Sequence, residues 1–301
     1  MDTFSADWLA LREPADHAAR ATTLAERAAD ALQAQRARAA ASAVRVIDLG
    51  SGSGSNLRYL APRLPVPQHW HLLDHDAALL ADAAERAPVR ADARSTMRAA
   101  AIAVQTHRVD LRVLPPDFVS VDNGGASPAT LVTGSALLDL VSEAWLEGLA
   151  DRLHTMGAVG LFALSYDGRI VCEPADPLDA EVRDLVNRHQ RTDKGFGPAT
   201  GPEATSILAP RLARRGYTVH VASSDWDLGA ESPELQRQLV EGWAAAATQV
   251  APGRADAIAA WRARRSGCIA EGRSRIRVGH QDLLAYPASP LPTLDAGAAT
   301  A

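Results

Sequence analysis

Cysteine and lysine are almost absent from this sequence. Only two of the 301 residues are cysteines, Cys172 and Cys268, which is too few for a disulfide framework, and no CxxC or Cys/His cluster predicts a metal site. Lysine occurs once, at Lys194, against thirty arginines. No run of about 18 apolar residues occurs, and the first residues, MDTFSAD, lack a basic segment and an apolar core. We therefore expect a cytoplasmic protein that has no membrane span.

The sequence also has no excess of positive charge. Its formal net charge is −5, so we expect no general attraction to nucleic acid or to an anionic membrane, and small molecules become the default substrates. One basic cluster is present between residues 262 and 277, where Glu271 is the only acid. It consists of Arg262, Arg264, Arg265, Arg273, Arg275 and Arg277. The cluster could contact RNA, but without interleaved aromatic residues a solvated surface is the expected interpretation.

The most informative stretch is VRVIDLGSGSGSN, residues 44–56. The apolar run 44–49 is typical of a parallel strand that is covered on both faces, and Gly50, Gly52 and Gly54 end it abruptly. Glycine permits positive φ and lets backbone N–H groups approach a ligand closely. A helix then begins near Ser55, and its N-terminus adds free N–H donors and a partial positive charge. The pattern predicts a ligand-binding junction between a strand and a helix.

Three ligands compete for this junction: a dinucleotide, a nucleoside triphosphate and S-adenosylmethionine. The phosphate loop GxxxxGK[ST] is excluded because no lysine follows at the required position. The dinucleotide fingerprint GxGxxG needs its third glycine one residue later than Gly54, and the carboxylate of Asp48 would repel a pyrophosphate. That carboxylate could instead accept hydrogen bonds from the ammonium group of S-adenosylmethionine, which also carries a sulfonium. A ligand that is cationic overall fits best.

Here the sequence resembles the class I S-adenosylmethionine-dependent methyltransferases, whose first motif is (D/E)xGxGxG. Residues 48–54, DLGSGSG, match it at every defined position. The second element of that family is an acid at the end of the second strand, which binds the ribose hydroxyls; residues 69–74, HWHLLD, end in Asp74, 20 residues after Gly54. The resemblance implies S-adenosyl-L-methionine as cofactor and direct in-line methyl transfer.

The resemblance also implies where the cofactor is bound. The implied contacts are Asp48, Gly50, Ser51, Gly52, Gly54, Asn56, Asp74, His75, Asp117 and Ser135. Asp117 is the candidate for the adenine amino group because it follows the predicted third strand, and Asp122 is the alternative.

No motif defines the acceptor. The fourth strand is followed by GSALLD, where enzymes that methylate amino groups of nucleic-acid bases commonly carry (D/N)PP(Y/F), and Cys172 lacks the context of a nucleophile. We therefore expect a small organic acceptor that is methylated on oxygen or nitrogen. The candidates for a base are Asp139, Tyr166 and His189, of which histidine has the most suitable pKa. The catalytic group itself stays unassigned, as does the oligomeric state.

Two further segments could bind the acceptor. In the leading helices, Arg12, Asp16, His17 and Arg20 could meet the methionine carboxylate or the acceptor, unless they form a solvated helix face. The polar segment 189–201 is either a lid over the acceptor or an ordinary connection between helices. If it closes, Lys194 and Arg191 favour an anionic acceptor and Phe196 shields it from water. The substrate-binding candidates are Arg12, Tyr166, His189, Lys194 and Phe196.

The predicted fold class is α/β. We expect a Rossmann-like, seven-stranded, mostly parallel sheet with an antiparallel last strand, helices on both faces and an N-terminal helical cap. The strands are predicted at 44–49, 69–74, 109–114, 129–133, 157–164, 217–222 and 275–286, and residues 76–105 are predicted to be mostly helical. The cap spans 1–41 with a break near Pro14, and the methyltransferase domain spans 42–286 with helical insertions at about 176–215 and 230–266. Residues 287–301 are predicted to be a disordered tail. Two other functions remain open: an RNA methyltransferase, and a non-catalytic cofactor-binding or scaffold protein.

Overall fold

A computed structural model describes residues 5–87, 102–113 and 129–288, which form an α/β fold around one mixed sheet. Its strands are β1 (Val44–Leu49), β2 (Gln68–Asp74), β3 (Ile102–Arg108), β4 (Ala129–Ser135), β5 (Val159–Glu173), β6 (Tyr217–Ser223), β7 (Trp226–Leu228) and β8 (Arg275–Pro287). The strand order is β3-β2-β1-β4-β5-β8-β6, and β7 pairs with β8. The first five strands are parallel, whereas β8 is antiparallel to β5, β6 and β7. The predicted sheet with an antiparallel last strand is confirmed.

Helices cover both faces of the sheet. They are α1 (Ala6–Ala19), α2 (Thr22–Ala39), α3 (Ser55–Leu60), α4 (Ala77–Glu85), α5 (Glu143–Met156), α6 (Asp179–Gln190), α7 (Ala204–Arg214), α8 (Pro233–Val250) and α9 (Ala255–Ala270). Strand β1 shows why both faces are apolar, because Ile47 and Leu49 pack in the core formed with α5 and α7, whereas Val44 and Val46 pack with α2 and α3. A third core lies among α6, α8, α9 and the far half of β5. None of the helices in the described ranges is long and apolar enough to cross a membrane.

Three local predictions were wrong. The third strand is residues 102–108 rather than 109–114, because Ile102, Val104 and Thr106 alternate along an edge strand in a region that alanine-rich sequence made look helical. Helix α1 continues through Pro14 and ends at Ala19, so the break falls later. The described residues contain eight strands rather than seven, because the short β7 pairs with the far end of β8, beyond the parallel core.

The N-terminal helices have different positions. Leu24, Ala28 and Leu32 bury α2 against the sheet, so α2 belongs to one of the covering layers. Helix α1 instead contributes Leu9, Arg12 and Asp16 to the wall of a cavity at the carboxyl ends of the parallel strands. Of these two helices, α1 is therefore the one that lines the candidate site.

Candidate cofactor and acceptor site

The glycine-rich turn after β1 crosses the carboxyl edge of the sheet. Gly50, Gly52 and Gly54 have φ values of 65°, 50° and 80°, in the left-handed region that favours glycine. The N–H groups of Gly50 and Ser51 both donate to the carbonyl oxygen of Leu73, at 2.8 and 3.1 Å, which ties the turn to the end of β2. The turn lies where the order 3-2-1-4-5 reverses between β1 and β4, the place where open α/β sheets bind ligands.

Asp74 joins the glycine turn to the end of β2. Its Oδ2 accepts a hydrogen bond of 2.8 Å from the N–H of Gly52, and its Oδ1 accepts one of 3.0 Å from the N–H of Asp76. The Nδ1 atom of His75 lies 3.2 Å from Oδ1. The side chain also lines the cavity, and a carboxylate has about four lone-pair directions, so it can accept further donors from a ligand.

One cavity runs along this edge and contains about 1100 Å³ of space, including its open mouth. Many of the residues that the sequence singled out lie in its wall. They are Gly50, Ser51, Gly52, Asn56, Asp74, His75 and Ser135 from the predicted cofactor set, and Arg12 and Phe196 from the predicted substrate set. The cavity wall therefore contains seven of the ten predicted cofactor residues and two of the five predicted substrate residues.

Other residues of the predicted site lie elsewhere. Gly54 is not part of the described cavity wall and instead begins α3, where an added Cβ would lie 3.1 Å from the Cβ of Ala83. Asp117 and Asp122 lie outside the described residues.

The loop after β3 supplies an acid that the sequence prediction missed. Asp110 and Leu111 line the cavity, and the carbonyl oxygen of Leu111 accepts a 2.7 Å hydrogen bond from Nε1 of Trp145, which fixes the loop. Arg112 donates to the Asp110 carboxylate and lowers its pKa to about 2. Because the third strand was predicted at 109–114, the acid expected to follow it was Asp117 rather than Asp110. The alternation of β-branched residues in 102–106 is the signal that indicates the correct strand.

Asp48 does not line the cavity as described but lies wholly buried behind the turn. Its Oδ1 accepts a 2.8 Å hydrogen bond from Nδ2 of Asn56, which also donates to Thr133, and its Oδ2 has no partner among the described residues. Burial raises the pKa of Asp48 to about 7. The predicted direct contact with an ammonium group is not supported, and Asn56, which does line the cavity, stands between Asp48 and a ligand.

A buried arginine connects this network to the N-terminal helices. Arg20, between α1 and α2, donates to Oδ1 of Asn56 at 2.9 Å and to Oδ2 of Asp282 at 3.3 Å. The other oxygen of Asp282 accepts the N–H of Leu164, whose φ is 54° at the point where β5 bulges against β8. Arg20 therefore links the segment between α1 and α2 to Asn56, beside the glycine turn, and to Asp282 of β8, and it does not line the described cavity. His17 contacts Ser55 at 3.1 Å.

Asp139, a predicted candidate base, is a buried carboxylate near the cavity. Asp139 lies in the turn after β4 and is 6% exposed; its carboxylate accepts the backbone N–H of Tyr166, while Oδ1 has no partner among the described residues. Burial raises the pKa of Asp139 to about 6. Tyr166 is buried and donates its hydroxyl to Asn187 at 2.7 Å, and burial raises its pKa. Neither residue is in the described cavity wall, but Leu140, next to Asp139, is.

Segment 189–201 places its charged residues away from the cavity. His189 Nε2 lies 3.0 Å from Gln249 and its Nδ1 lies 3.1 Å from Nζ of Lys194, because His189 is in the last turn of α6 and faces α8. Arg191 pairs with Glu203. Of this segment's predicted residues, only Phe196 lines the described cavity, with its ring edge-on to Trp145 at 6.1 Å. The predicted contact of Lys194 and His189 with substrate is thus not supported by this arrangement.

The cap helix adds an ion pair that seals one end of the cavity. Arg12 and Asp16, one turn apart on α1, form a bidentate pair with Nε to Oδ2 at 2.9 Å. The guanidinium carbon of Arg12 lies 4.9 Å from the centre of the Trp226 ring, and Nε1 of Trp226 donates to Asp16 at 3.1 Å. The pair therefore stands between the cavity and β7.

The six arginines at 262–277 form ion pairs with five neighbouring acids. The partners are Glu241 for Arg262, Asp176 for Arg264, Asp179 for Arg265, Glu271 for Arg273, and Asp227 for Arg275 and Arg277. Arg265 is also buried and donates to the carbonyl oxygen of Pro174 at 2.7 Å. The cluster gives no support for a surface that binds RNA.

No protein-family model matches the chain, and a comparison with curated protein sequences finds no match. Among solved structures, the chain is similar to a cyclopropane synthase from Mycobacterium tuberculosis, with 11% identity, a TM-score of 0.40, and coverage of 84% of this chain and 82% of that one. A geranyl diphosphate methyltransferase solved with S-adenosylmethionine shows 12% identity, a TM-score of 0.41, and coverage of 88% and 84%. For a phosphoethanolamine N-methyltransferase from Haemonchus contortus, identity is 15%, the TM-score is 0.39 and coverage is 86% of this chain, which spans 53% of that protein.

These likenesses are too distant to carry an argument about function, so the fold rests on the sheet itself. Its parallel strands have the order 3-2-1-4-5, and an antiparallel strand lies between the fifth and sixth strands. The glycine turn and Asp74 lie at the reversal point of that order. The chain therefore has a Rossmann-like fold, as its sequence predicts.

Proposed function

We propose that this protein is an S-adenosylmethionine-dependent methyltransferase that acts on a small organic acceptor. The observation that carries the proposal is the cavity in which the glycine turn, Asp74 and Ser135 of the predicted cofactor set meet Phe196 of the predicted substrate set.

The residues of the cavity fit the cofactor along its length. Asp74 would accept both ribose hydroxyls, and Asp110, beside Leu79 and Leu111, would accept the adenine amino group. At the other end the hydroxyls of Ser51 and Ser53 are buried and have no partner among the described residues, so they are available to the polar methionine part. When bound, S-adenosylmethionine supplies a methyl group activated by a sulfonium.

The glycine turn passes close to helix α1. An added Cβ on Gly52 would lie 3.2 Å from Cδ1 of Leu9, so a side chain at this position would require the end of Leu9 to shift by a few tenths of an ångström. The N–H groups of Gly50 and Ser51 already donate to Leu73 and that of Gly52 donates to Asp74, so the turn offers close backbone approach rather than free donors. Arg12 of α1 adds a positive charge to the cavity wall.

The chemistry that the chain contributes is mainly positioning. In-line displacement at a methyl carbon needs the acceptor atom and the sulfonium aligned, and a base is required only if the acceptor carries a proton. The described cavity is lined on the acceptor side by Ala136, Leu137, Leu140 and Phe196, which exclude water from the reacting atoms. We propose a small organic acceptor rather than a polynucleotide, since the arginines of the cluster form ion pairs with five neighbouring acids and do not line the cavity.

The test is a binding and transfer experiment on the wild-type chain. Isothermal titration should show binding of S-adenosylmethionine and S-adenosylhomocysteine, and incubation of labelled cofactor with a metabolite extract should label a small molecule only when the protein is present. Binding without transfer to any extract component would favour a non-catalytic cofactor-binding protein. Absence of binding would refute the proposed cofactor.

A further inference from the structure

An ion pair between the cap helix and α3 lies next to the glycine turn. Glu13 belongs to α1 and Arg58 to α3, and Arg58 also binds the backbone of the turn at Ser53. Resting on the proposed function, we propose that Glu13 and Arg58 are positioning residues for the methionine end of S-adenosylmethionine. In this arrangement Glu13 orients Arg58, and Arg58 fixes the Ser53 peptide in the cavity wall.

Arg58 uses all three of its guanidinium nitrogens. Its Nε and Nη2 donate to the two carboxylate oxygens of Glu13 at 2.7 and 2.6 Å, and its Nη1 donates to the carbonyl oxygen of Ser53 at 2.6 Å. A bidentate contact with a carboxylate fixes the plane of a guanidinium, so Glu13 sets the direction in which Nη1 points. The guanidinium of Arg58 therefore connects α1 to the glycine turn through direct hydrogen bonds.

The ion pair is largely shielded from water, since 16% of the Arg58 side chain and 13% of the Glu13 side chain are exposed. Burial by itself would raise the pKa of Glu13, but the hydrogen bonds and charge of Arg58, together with the charges of His17 and Arg86, hold that pKa below its usual value. Glu13 is therefore ionised at neutral pH. Hydrogen bonds between charged groups are shorter and stronger than neutral ones, so the pair can maintain a defined geometry.

Ser53 is the residue at which this ion pair meets the cavity. It lines the cavity and is 2% exposed, and its hydroxyl has no hydrogen-bond partner among the described residues. The peptide that joins Ser53 to Gly54 is held on both sides, because the N–H of Gly54 donates to the carbonyl oxygen of Ser51 at 2.9 Å while Arg58 binds the carbonyl oxygen of Ser53. Glycine restrains its own backbone least of all residues, so these hydrogen bonds set the orientation of the peptide.

The location of Ser53 relates the ion pair to one end of the cofactor. Asp74 lies at the part of the cavity that we propose for the ribose and adenine. Ser53 and Ser55 line the cavity beside α1, where Nε2 of His17 lies 3.1 Å from Oγ of Ser55. The cofactor part that lies between the turn and α1 is then the methionine part. Arg58 is not in the described cavity wall, so it acts through Ser53 rather than by contact with the ligand.

The experiment compares two ligands by calorimetric titration of the full chain. S-adenosylhomocysteine and 5′-methylthioadenosine share the adenosine and the sulfur, but only the first carries the amino and carboxyl groups of the methionine end. We expect Arg58→Met to weaken S-adenosylhomocysteine about tenfold or more and to leave the affinity for 5′-methylthioadenosine within about twofold of wild type, because a site needs its supporting residues to hold a precise geometry.

A second variant tests whether Glu13 acts through Arg58. Glu13→Gln keeps the shape of the side chain and removes its charge, so it should weaken S-adenosylhomocysteine about threefold to tenfold, again with little effect on 5′-methylthioadenosine. The double variant should bind S-adenosylhomocysteine no more weakly than Arg58→Met does, because the two residues form one chain of contacts. Arg86→Gln is the matched control: Arg86 also donates to Glu13, at 3.3 Å, but its other hydrogen bond is to Asp82 rather than to the turn. Its loss should leave both affinities unchanged.

The outcomes separate this inference from the proposed function. Unchanged affinity of Arg58→Met for S-adenosylhomocysteine, equal losses for both ligands, or a loss in Arg86→Gln as large as that in Arg58→Met would each overturn the positioning role of the pair. Additive losses in the double variant would show that Glu13 does not act through Arg58. In all these cases wild type still binds S-adenosylhomocysteine, and the cofactor proposal stands.

If wild type does not bind S-adenosylhomocysteine, both proposals fail. Retained affinity for 5′-methylthioadenosine shows that a variant has folded. If Arg58→Met binds neither ligand, it is replaced by Arg58→Lys, which cannot reproduce the planar bidentate contact with Glu13, and the same comparison of the two ligands decides the result.

Discussion

Replacement of Asp74 by alanine tests the cofactor site most directly. The Asp74 carboxylate is 6% exposed, faces the cavity and is held by the N–H groups of Gly52 and Asp76 at 2.8 and 3.0 Å. Two ribose hydroxyls would donate to it, and a hydrogen bond to a charged group contributes about 1.5–3 kcal/mol. Loss of both should therefore weaken S-adenosylhomocysteine binding by about 3 kcal/mol or more, which is roughly a hundredfold.

The assay is calorimetric titration of wild type, Asp74→Ala and the control Asp82→Ala. Asp82 lies on α4 and pairs with Arg86 at 3.1 Å, an exposed ion pair that contributes about 0–1 kcal/mol, so its loss should leave affinity unchanged. A second ligand separates the ribose contact from damage to the glycine turn. Wild type should bind the analogue of S-adenosylhomocysteine that lacks both ribose hydroxyls much more weakly than it binds S-adenosylhomocysteine. Asp74→Ala should bind the two compounds with equal affinity. If removal of the hydroxyls costs the variant as much as the wild type, Asp74 does not hold the ribose.

Two other predictions concern the loop after β3 and the buried acid behind the turn. Asp110→Ala should weaken S-adenosylhomocysteine by about 1 kcal/mol and should abolish any preference for adenine over hypoxanthine in the ligand; an unchanged preference would return the adenine contact to Asp117. Burial raises the pKa of Asp48 to about 7, whereas the unfolded chain loses this proton near the usual pKa of 3.8. The folded protein therefore binds the proton more tightly, and the free energy of unfolding falls as pH rises from about 4 through 7. Urea denaturation at pH 5 and pH 8 should show that Asp48→Asn removes about 2–4 kcal/mol of this fall, whereas an equal fall in both proteins would mean that Asp48 titrates normally.

The first strand, the glycine turn and Asp74 could be predicted because their function depends on short segments. A buried parallel strand must be apolar on both faces, and a backbone with positive φ beside a ligand must be glycine, so both requirements are visible in consecutive residues. The spacing to Asp74 reflects one helix and one strand. The edge strand β3 was misplaced because it lacks the continuous apolar run of a strand that is buried on both faces. One of its faces is exposed and carries Ala103 and Gln105.

Other polar positions depend on contacts between distant parts of the chain. His280 could not be singled out, because only its register pairing with Tyr166 and the approach of Trp226 bring these three rings together. Conversely, His189 and Lys194 looked suitable in sequence but face each other and Gln249 at the end of α6. Orientation about a helix or strand is set by packing, which local sequence does not specify.

By itself, then, the sequence determined the fold class and the proposed methyl donor, because the glycine turn and its two acids, Asp48 and Asp74, lie within one continuous β-α-β unit. Only the tertiary structure separated those acids, burying Asp48 behind Asn56 and leaving Asp74 in the cavity wall. It also decided which polar residues meet beyond the parallel strands, since β8 returns antiparallel beside β5 and pairs His280 with Tyr166, which lies 114 residues earlier in the chain. Burial and strand pairing, rather than residue type, select the groups that can act there.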